Sequence, residues 1–174
     1  MLALIAAPAS HGQTRLPLLI SDDGIGGITA DTPYTPQAVS AALGGLPVMA
    51  TKVYFDKIPI PTLEATREGK RVLLAFGGAG GDRVTRAVAY APDAVTSTGV
   101  AVGTPMGEVF SRLPNRSCRN GLEDQSGLVF CPAPYFSNIR FAFRCNHATP
   151  DDELPPVKVL KLCPLESIIW LADD

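Results

Sequence analysis

The sequence predicts an α+β fold: a mostly antiparallel, twisted sheet with two short helices and a C-terminal third stapled by disulfides. Three observations predict it. The 174 residues include 16 Gly and 16 Pro, with 46% hydrophobic and 18% charged residues, too turn-rich for a helical bundle and too apolar for a disordered chain. Helix-start signals occur in two isolated places, while short strand-like runs bounded by Gly and Pro fill the space between and after them. All four cysteines, Cys118, Cys131, Cys145 and Cys163, fall in the last third.

The apolar Leu16 to Ile20 run reads as a first short strand that enters the glycine-rich turn Asp22-Asp23-Gly24-Ile25-Gly26-Gly27, since a positive φ costs glycine nothing. Thr35 is placed as an N-cap and Pro36 as the first helical residue, with Val39 and Leu43 on one face and Gly44-Gly45 as the stop. The same device recurs at Thr104-Pro105, followed by Val109 and Leu113 and ended by Pro114. Between the helices, Val48 to Phe55, Arg71 to Phe76, Arg83 to Tyr90 and Val95 to Val102 read as strands separated by Pro59, Pro61, the Gly77 to Gly81 loop and Pro92. Val84, Arg86, Val88 and Tyr90 alternate with Thr85, Ala87 and Ala89, which gives one wet and one packed face. Leu128 to Cys131, Ile139 to Arg144 and Leu165 to Leu171 complete a meander, with Ile139, Phe141 and Phe143 sharing a face.

No composition shift marks an internal boundary, so residues 13–174 read as a single domain. Residues 1–12, an apolar run followed by small residues, read as a signal-peptide remnant, with cleavage expected after Ala9 or Gly12. No other apolar run approaches the ~20 residues of a spanning helix. The four cysteines contain no Cys-x-x-Cys pair and no Cys/His zinc spacing. Of the three possible connectivities the favoured one is Cys118 with Cys131, around the turn-forming Ser126-Gly127, and Cys145 with Cys163, around a Pro-rich excursion. Leader and cysteines together predict a periplasmic or secreted protein.

Lys+Arg 15 against Asp+Glu 17, a net charge of -2, supplies no basic field for a nucleic-acid backbone. Gly77 to Gly81 lacks the Lys-Ser/Thr of a phosphate loop and reads as a hairpin turn. Ser21-Asp22-Asp23-Gly24 and Asp151-Asp152-Glu153 follow no EF-hand spacing and read as solvated turns. Histidine is limited to His11 and His147, and neither Gly-x-Ser-x-Gly nor His-Glu-x-x-His occurs, so no Ser/His or Cys/His triad is expected. No catalytic residue, cofactor or metal is assigned. The expected binding patch is the mixed-charge, stapled surface of Arg112, Arg116, Arg119, Glu123 and Asp124 together with the aromatics Tyr135 and Phe136, because a rigid surface loses less entropy on binding. One of those two aromatics is expected to be buried and the other exposed as an anchor. Two alternatives remain. One is a glycan hydrolase built on carboxylates drawn from Asp22, Asp23, Glu123 and Asp124, which needs two acids roughly 5–10 Å apart. The other is a small-ligand carrier, which needs an enclosed apolar pocket.

Several segments share a pattern. Ile20-Ser21-Asp22-Asp23-Gly24-Ile25-Gly26, Thr32-Pro33-Tyr34 and Thr35-Pro36 are followed by Cys118-x-x-Gly121-x-Glu123-Asp124-x-Ser126-Gly127-x-Val129-x-Cys131-Pro132-Ala133-Pro134. Asn138-Ile139-x-Phe141-x-Phe143, Leu154-Pro155-Pro156 and Ile168-Ile169-Trp170 complete it. Together they resemble the YfeY-like, RpoE-regulated lipoprotein family of Gram-negative bacteria. The resemblance implies a periplasmic α+β domain and assigns no catalytic residue. The first cysteine is Cys118 and no lipobox cysteine is present, so a lipid anchor is not expected. The resulting expectation is a non-catalytic protein that binds an envelope protein or glycan, and the resemblance implies a link to envelope stress.

Overall fold

The apolar run at the start becomes β1 (Leu18–Ser21), which reverses at Asp22-Asp23 and pairs antiparallel with β2 (Gly24–Ile25). Only glycine fits at position 24, where a Cβ would lie 1.7 Å from the Ile28 carbonyl oxygen. The computed structural model describes residues 17–78, 80–113, 117–147, 150 and 153–172. The expected leader, Arg116, Asp151 and Asp152, and the helix-ending Pro114 lie outside those residues.

Helix α1 (Pro36–Ala42) forms as its sequence dictates. The Thr35 hydroxyl accepts a hydrogen bond from the Ala38 N–H at 3.2 Å, Pro36 occupies the first turn, and Gly44 and Gly45 take left-handed φ values of 68° and 86° at the end. Its buried Val39 faces β3 (Val48–Phe55), the first of four antiparallel strands that continue through β4 (Ile58–Arg67), β5 (Lys70–Gly77) and β6 (Val84–Ala89). Strand β4 corrects the expectation that Pro59 and Pro61 separate strands. Both prolines pair only with β3, because the β4–β5 ladder begins at Leu63 opposite Ala75. They share one parity, so their missing donors fall where no neighbouring strand needs them.

A register shift between Phe76 and Gly77 also breaks the expected alternation of β6. Val84 joins the main core, whereas Arg86 and Val88 stand on the opposite face with Phe76 and Leu74; one extra residue flips every side chain beyond it. The expected strand from Val95 to Val102 is also shortened. After β7 (Ala94–Thr96) the chain turns at Gly99, with φ at 88°, and Ala101 folds back to bridge Val95.

Helix α2 (Met106–Val109) is one turn long and is capped at Pro105, not at Thr104. The Thr104 carbonyl instead accepts from the Leu165 N–H at 2.9 Å and its hydroxyl from the Ala101 N–H at 3.3 Å. Strand β8 (Arg119–Asn120), a 3-10 turn at Glu123–Gln125 and β9 (Leu128–Pro132) form the stapled hairpin, and β10 (Ile139–Arg144) follows. A third helix, α3 (Val157–Leu160), lies within the Pro-rich excursion where none was expected; Pro156 supplies its start and Leu160 its buried residue. The chain closes with β11 (Leu165–Leu171). Both disulfides have the favoured pairing, Cys118 with Cys131 and Cys145 with Cys163.

The large sheet has eight strands in the order β3-β4-β5-β6-β11-β10-β9-β8, and a small one has the order β2-β1-β7 with β1 and β7 parallel. The last strand thus joins two antiparallel halves. One face of the large sheet, carrying Leu73, Ala75, Ala87, Phe141, Phe143, Ile168 and Trp170, packs with the small sheet and all three helices in one core. The α+β class holds, and the sheet is mostly antiparallel.

The opposite face behaves differently. It carries a second cluster, Leu74, Phe76 and Val88 with Val53, Ile60, Tyr90 and Ile169 packed against it, drawn entirely from the large sheet and its margin. Thr62 on the same face is only 1% exposed. The sheet curls to shelter these groups. Adjacent strands rotate by roughly 20–25°, and over eight strands the first hairpin comes round to the last: the Asp56 N–H, at the β3–β4 turn, donates to Asp124 Oδ2 beside β8 at 3.0 Å.

Candidate functional site

The described charged residues of the sequence-predicted patch lie at the surface. Arg112, Arg119, Glu123 and Asp124 are exposed, but Asp124 is engaged by the Asp56 backbone N–H, so its carboxylate serves sheet closure. Phe136 is partly buried against the core, short of the full burial expected for one of the two aromatics, and Tyr135 is 93% exposed. Tyr135 also has φ at 69° in a turn closed by the Phe136 N–H donating to the Ala133 carbonyl at 3.4 Å. With Pro134 before it, this is the position that a type II turn reserves for glycine. A left-handed tyrosine costs roughly 1–2 kcal/mol. Tyr135→Gly is therefore expected to raise the midpoint of thermal unfolding; a lower midpoint would mean that the ring holds the turn.

The acidic residues considered for hydrolysis are separated by β9. Asp22 sits against the β9–β10 turn, where its Oδ1 accepts from the Ser137 and Asn138 N–H groups, each at 2.9 Å. Its carbonyl accepts from Trp170 Nε1 at 2.8 Å. Glu123 and Asp124 lie before the other end of that strand, about 17 Å away along five extended residues. Asp22 is thus a clamp between the small sheet, the β9–β10 turn and the last strand. Asp23 is exposed beside it. Among the described residues no three His, Cys, Asp or Glu side chains gather in a metal-binding arrangement.

The sheltered face of the large sheet brings together a different set. Arg86 on β6 lies over the Phe76 ring of β5, with its guanidinium carbon 3.9 Å from the ring centroid. Phe76 and Leu171 flank it in register on the two neighbouring strands. Two residues further along the same face stands Val88, between Leu74 and Ile169, and beyond it Tyr90. Around this apolar cluster two acids are already committed. Glu64 takes Arg71 Nη2 at 3.0 Å, and Glu166 binds Arg144 through two bonds, of which that from Nη2 measures 2.8 Å. The Glu166 bond holds the Arg144 guanidinium above its ordinary pKa.

Arg86 has no such partner among the described residues. It is half-buried, makes neither a hydrogen bond nor an ion pair with any of them, and burial lowers its pKa, an effect that the nearby Tyr90 partly offsets. Burial likewise pushes the Tyr90 phenol up, with Arg71 pulling it down and Glu166 pushing it further. Tyr90 is therefore a neutral O–H donor at physiological pH. It also lines an open depression of about 400 Å3 with Arg67, Arg71 and Asp93, the first and last ion-paired at 2.5 Å. A second open depression, about 420 Å3, lies between Arg144 and Leu162. The carrier expectation called for an enclosed pocket, and both of these are open to solvent.

Sequence reasoning did not select Arg86. Its signal was a lone cation inside an alternating strand, where the pattern separates two faces without saying which one is wet.

The family profile described as "Protein of unknown function (DUF1131)" matches residues 9–172 of this chain. The uncharacterised protein YfeY of Escherichia coli (strain K12) is 26% identical over 151 residues, covering 87% of this chain and 78% of that protein. The crystal structure of the uncharacterised protein yfeY from Escherichia coli superposes with a TM-score of 0.73 at 24% identity, covering 87% of this chain and 98% of that one. These likenesses bear out the resemblance drawn from the turn and core motifs, and they supply the fold without an activity.

Proposed function

The chain belongs to the DUF1131 family, described as proteins of unknown function, and from that premise we propose that it is a non-catalytic binding protein of an extracytoplasmic compartment. Its partner is another envelope component, a protein or a glycan, received on the sheltered face of the large sheet. Both cysteine pairs are oxidised and all four sulfurs are buried, which suits an oxidising compartment. Among the described residues no helix is long and apolar enough to cross a membrane.

The observation that carries the reading is Arg86. A cation withdrawn from water costs several kcal/mol unless an anion or acceptor replaces its hydration, and stacking on a ring returns only about 0.5–2 kcal/mol. A fold that needed a cation there only for stability would have given it a carboxylate, as it did for Arg71 and Arg144. A guanidinium that stacks on a ring and has no acidic partner among the described residues suits a surface completed by another molecule.

Retention of envelope-extract components on the immobilised protein tests this. Components that Arg86→Gln or Phe76→Ala releases, while Arg112→Glu and Tyr135→Gly do not, support the reading. The reverse pattern would move the binding surface to the stapled C-terminal loops.

A further inference from the structure

We infer that the free edge of β3 pairs with a second copy of this chain, strand against strand and antiparallel, about a two-fold axis at Thr51. The pairing does not depend on the sheltered face. Along an antiparallel ladder, hydrogen-bonded and non-bonded pairs alternate. The Thr66 N–H donates to the Pro47 carbonyl at 3.0 Å, one position beyond the Val48–Ala65 pair, so the odd-numbered residues of β3 bond to β4. Pro59 and Pro61, which have no N–H to give, stand opposite Tyr54 and Lys52, as that phase requires. The backbone groups of Val48, Ala50, Lys52 and Tyr54 therefore point outward, where β3 has no neighbouring strand.

The chain closes both ends of this row itself. The Leu46 carbonyl accepts from the Ser40 hydroxyl at 2.7 Å, and the Asp56 N–H donates to Asp124. Between them, the outward groups from Val48 to Tyr54 have no partner among the described residues. The other edge of the large sheet is blunted by its length, since β8 has only two residues. Strand β3 has eight, contains no proline and pairs with β4 without a bulge. A long, regular, unblunted edge is a template for another strand. Apolar side chains gather on it: Met49 is 61% and Tyr54 66% exposed, with Phe55 and Ile58 exposed at the hairpin end.

Register selects a second copy as the occupant. A two-fold axis through this edge must bond even-numbered residues to even-numbered ones, because only those point outward. Centred on Thr51, it sets Val48 opposite Tyr54 and Ala50 opposite Lys52, which uses all four outward residues of both copies. At the non-bonded positions Thr51 meets Thr51 and Met49 meets Val53. Each exposed apolar side chain within the row thus gains a β-branched neighbour, and threonine pairs and aromatic–β-branched pairs are favourable across strands. Centred on Lys52, the row would bond through three residues only and set two lysines directly opposite, a like-charge pair that destabilises. The strand matches itself in one register.

Sedimentation velocity of the whole protein over a concentration series tests the pairing. A weak, concentration-dependent dimer is expected, since one strand pair buries less than a standard interface. Tyr54→Lys and Met49→Lys alter exposed side chains and are each expected to weaken it by about tenfold, because every substitution removes two cross-strand pairs. Leu162→Lys, at a residue 78% exposed beyond α3, is expected to leave it unchanged. Thr51→Cys is expected to give a disulfide-linked dimer on mild oxidation, since directly opposed non-bonded residues lie about 4.5 Å apart, within disulfide reach. Lys52→Cys is expected to cross-link far more slowly. A monomer at every concentration up to about 1 mM, a dimer that Leu162→Lys weakens and Tyr54→Lys does not, or faster cross-linking through residue 52 than through 51 would each overturn the pairing. A protein that stays monomeric while envelope extract protects the β3 amides from exchange would give this edge to a strand of another protein, which also overturns it.

Discussion

Reducing both disulfides is expected to destabilise the protein by about 6 kcal/mol, since loops of this size each contribute roughly 3 kcal/mol by restricting the unfolded chain. The loops span 13 and 18 residues. Against a typical net stability of about 5–15 kcal/mol, that loss is enough to unfold much of the population. The four sulfurs are no more than 3% exposed, so reduction under native conditions should wait on opening of the fold. Alkylation followed by mass measurement checks both points. No added mass is expected without reductant, slow labelling with reductant alone, and labelling of all four cysteines once a denaturant is added. Rapid labelling by reductant under native conditions would show that the stapled third opens independently of the rest.

Asp22→Ala is expected to lower stability by about 3 kcal/mol or more, because hydrogen bonds to a charged acceptor contribute roughly 1.5–3 kcal/mol each and the carboxylate holds two backbone donors of the β9–β10 turn. For a chain of this size each kcal/mol moves the unfolding midpoint by roughly 2–4 °C. Asp22→Asn keeps an acceptor oxygen but no charge and should lose about half as much. The Trp170 indole N–H bonds the backbone carbonyl of residue 22, not its side chain. Trp170 fluorescence should accordingly stay that of a buried indole in folded Asp22→Ala. A midpoint unchanged within error would mean that the two N–H groups find water at no cost and that the small sheet is held by its apolar residues alone.

How much of this was legible in the sequence depends on whether the determinant is local. Thr35, Pro36 and the Gly44-Gly45 pair define α1 within eleven residues, and Ile139 to Arg144 and Leu165 to Leu171 have the bounds of β10 and β11. Cysteine pairing was legible because a turn sits within each loop. Strand β4 was hidden because proline is judged by type, and its tolerance at 59 and 61 depends on where β5 begins. Thr104 looked like Thr35, yet the Leu165 N–H claims its carbonyl from sixty residues away.

The candidate site was hidden for the same reason. Whether Arg86 is wet, paired or stacked depends on the register shift that turns it away from Val84, on Phe76 across the ladder, and on Glu64 and Glu166 being used elsewhere. Asp22 was read as a solvated turn because its partners, Ser137 and Asn138, lie more than a hundred residues on. The acidic turn kept its place at the surface and acquired a structural task.

The measurement that bears most directly on the sheltered face is amide hydrogen exchange of the intact protein with and without saturating envelope extract. Binding on that face predicts added protection in β5, β6 and β11, centred on Phe76, Arg86 and Ile169, with the Arg112 to Tyr135 region unchanged. Protection confined to the Arg112 to Tyr135 region, with those three strands unaffected, would contradict it.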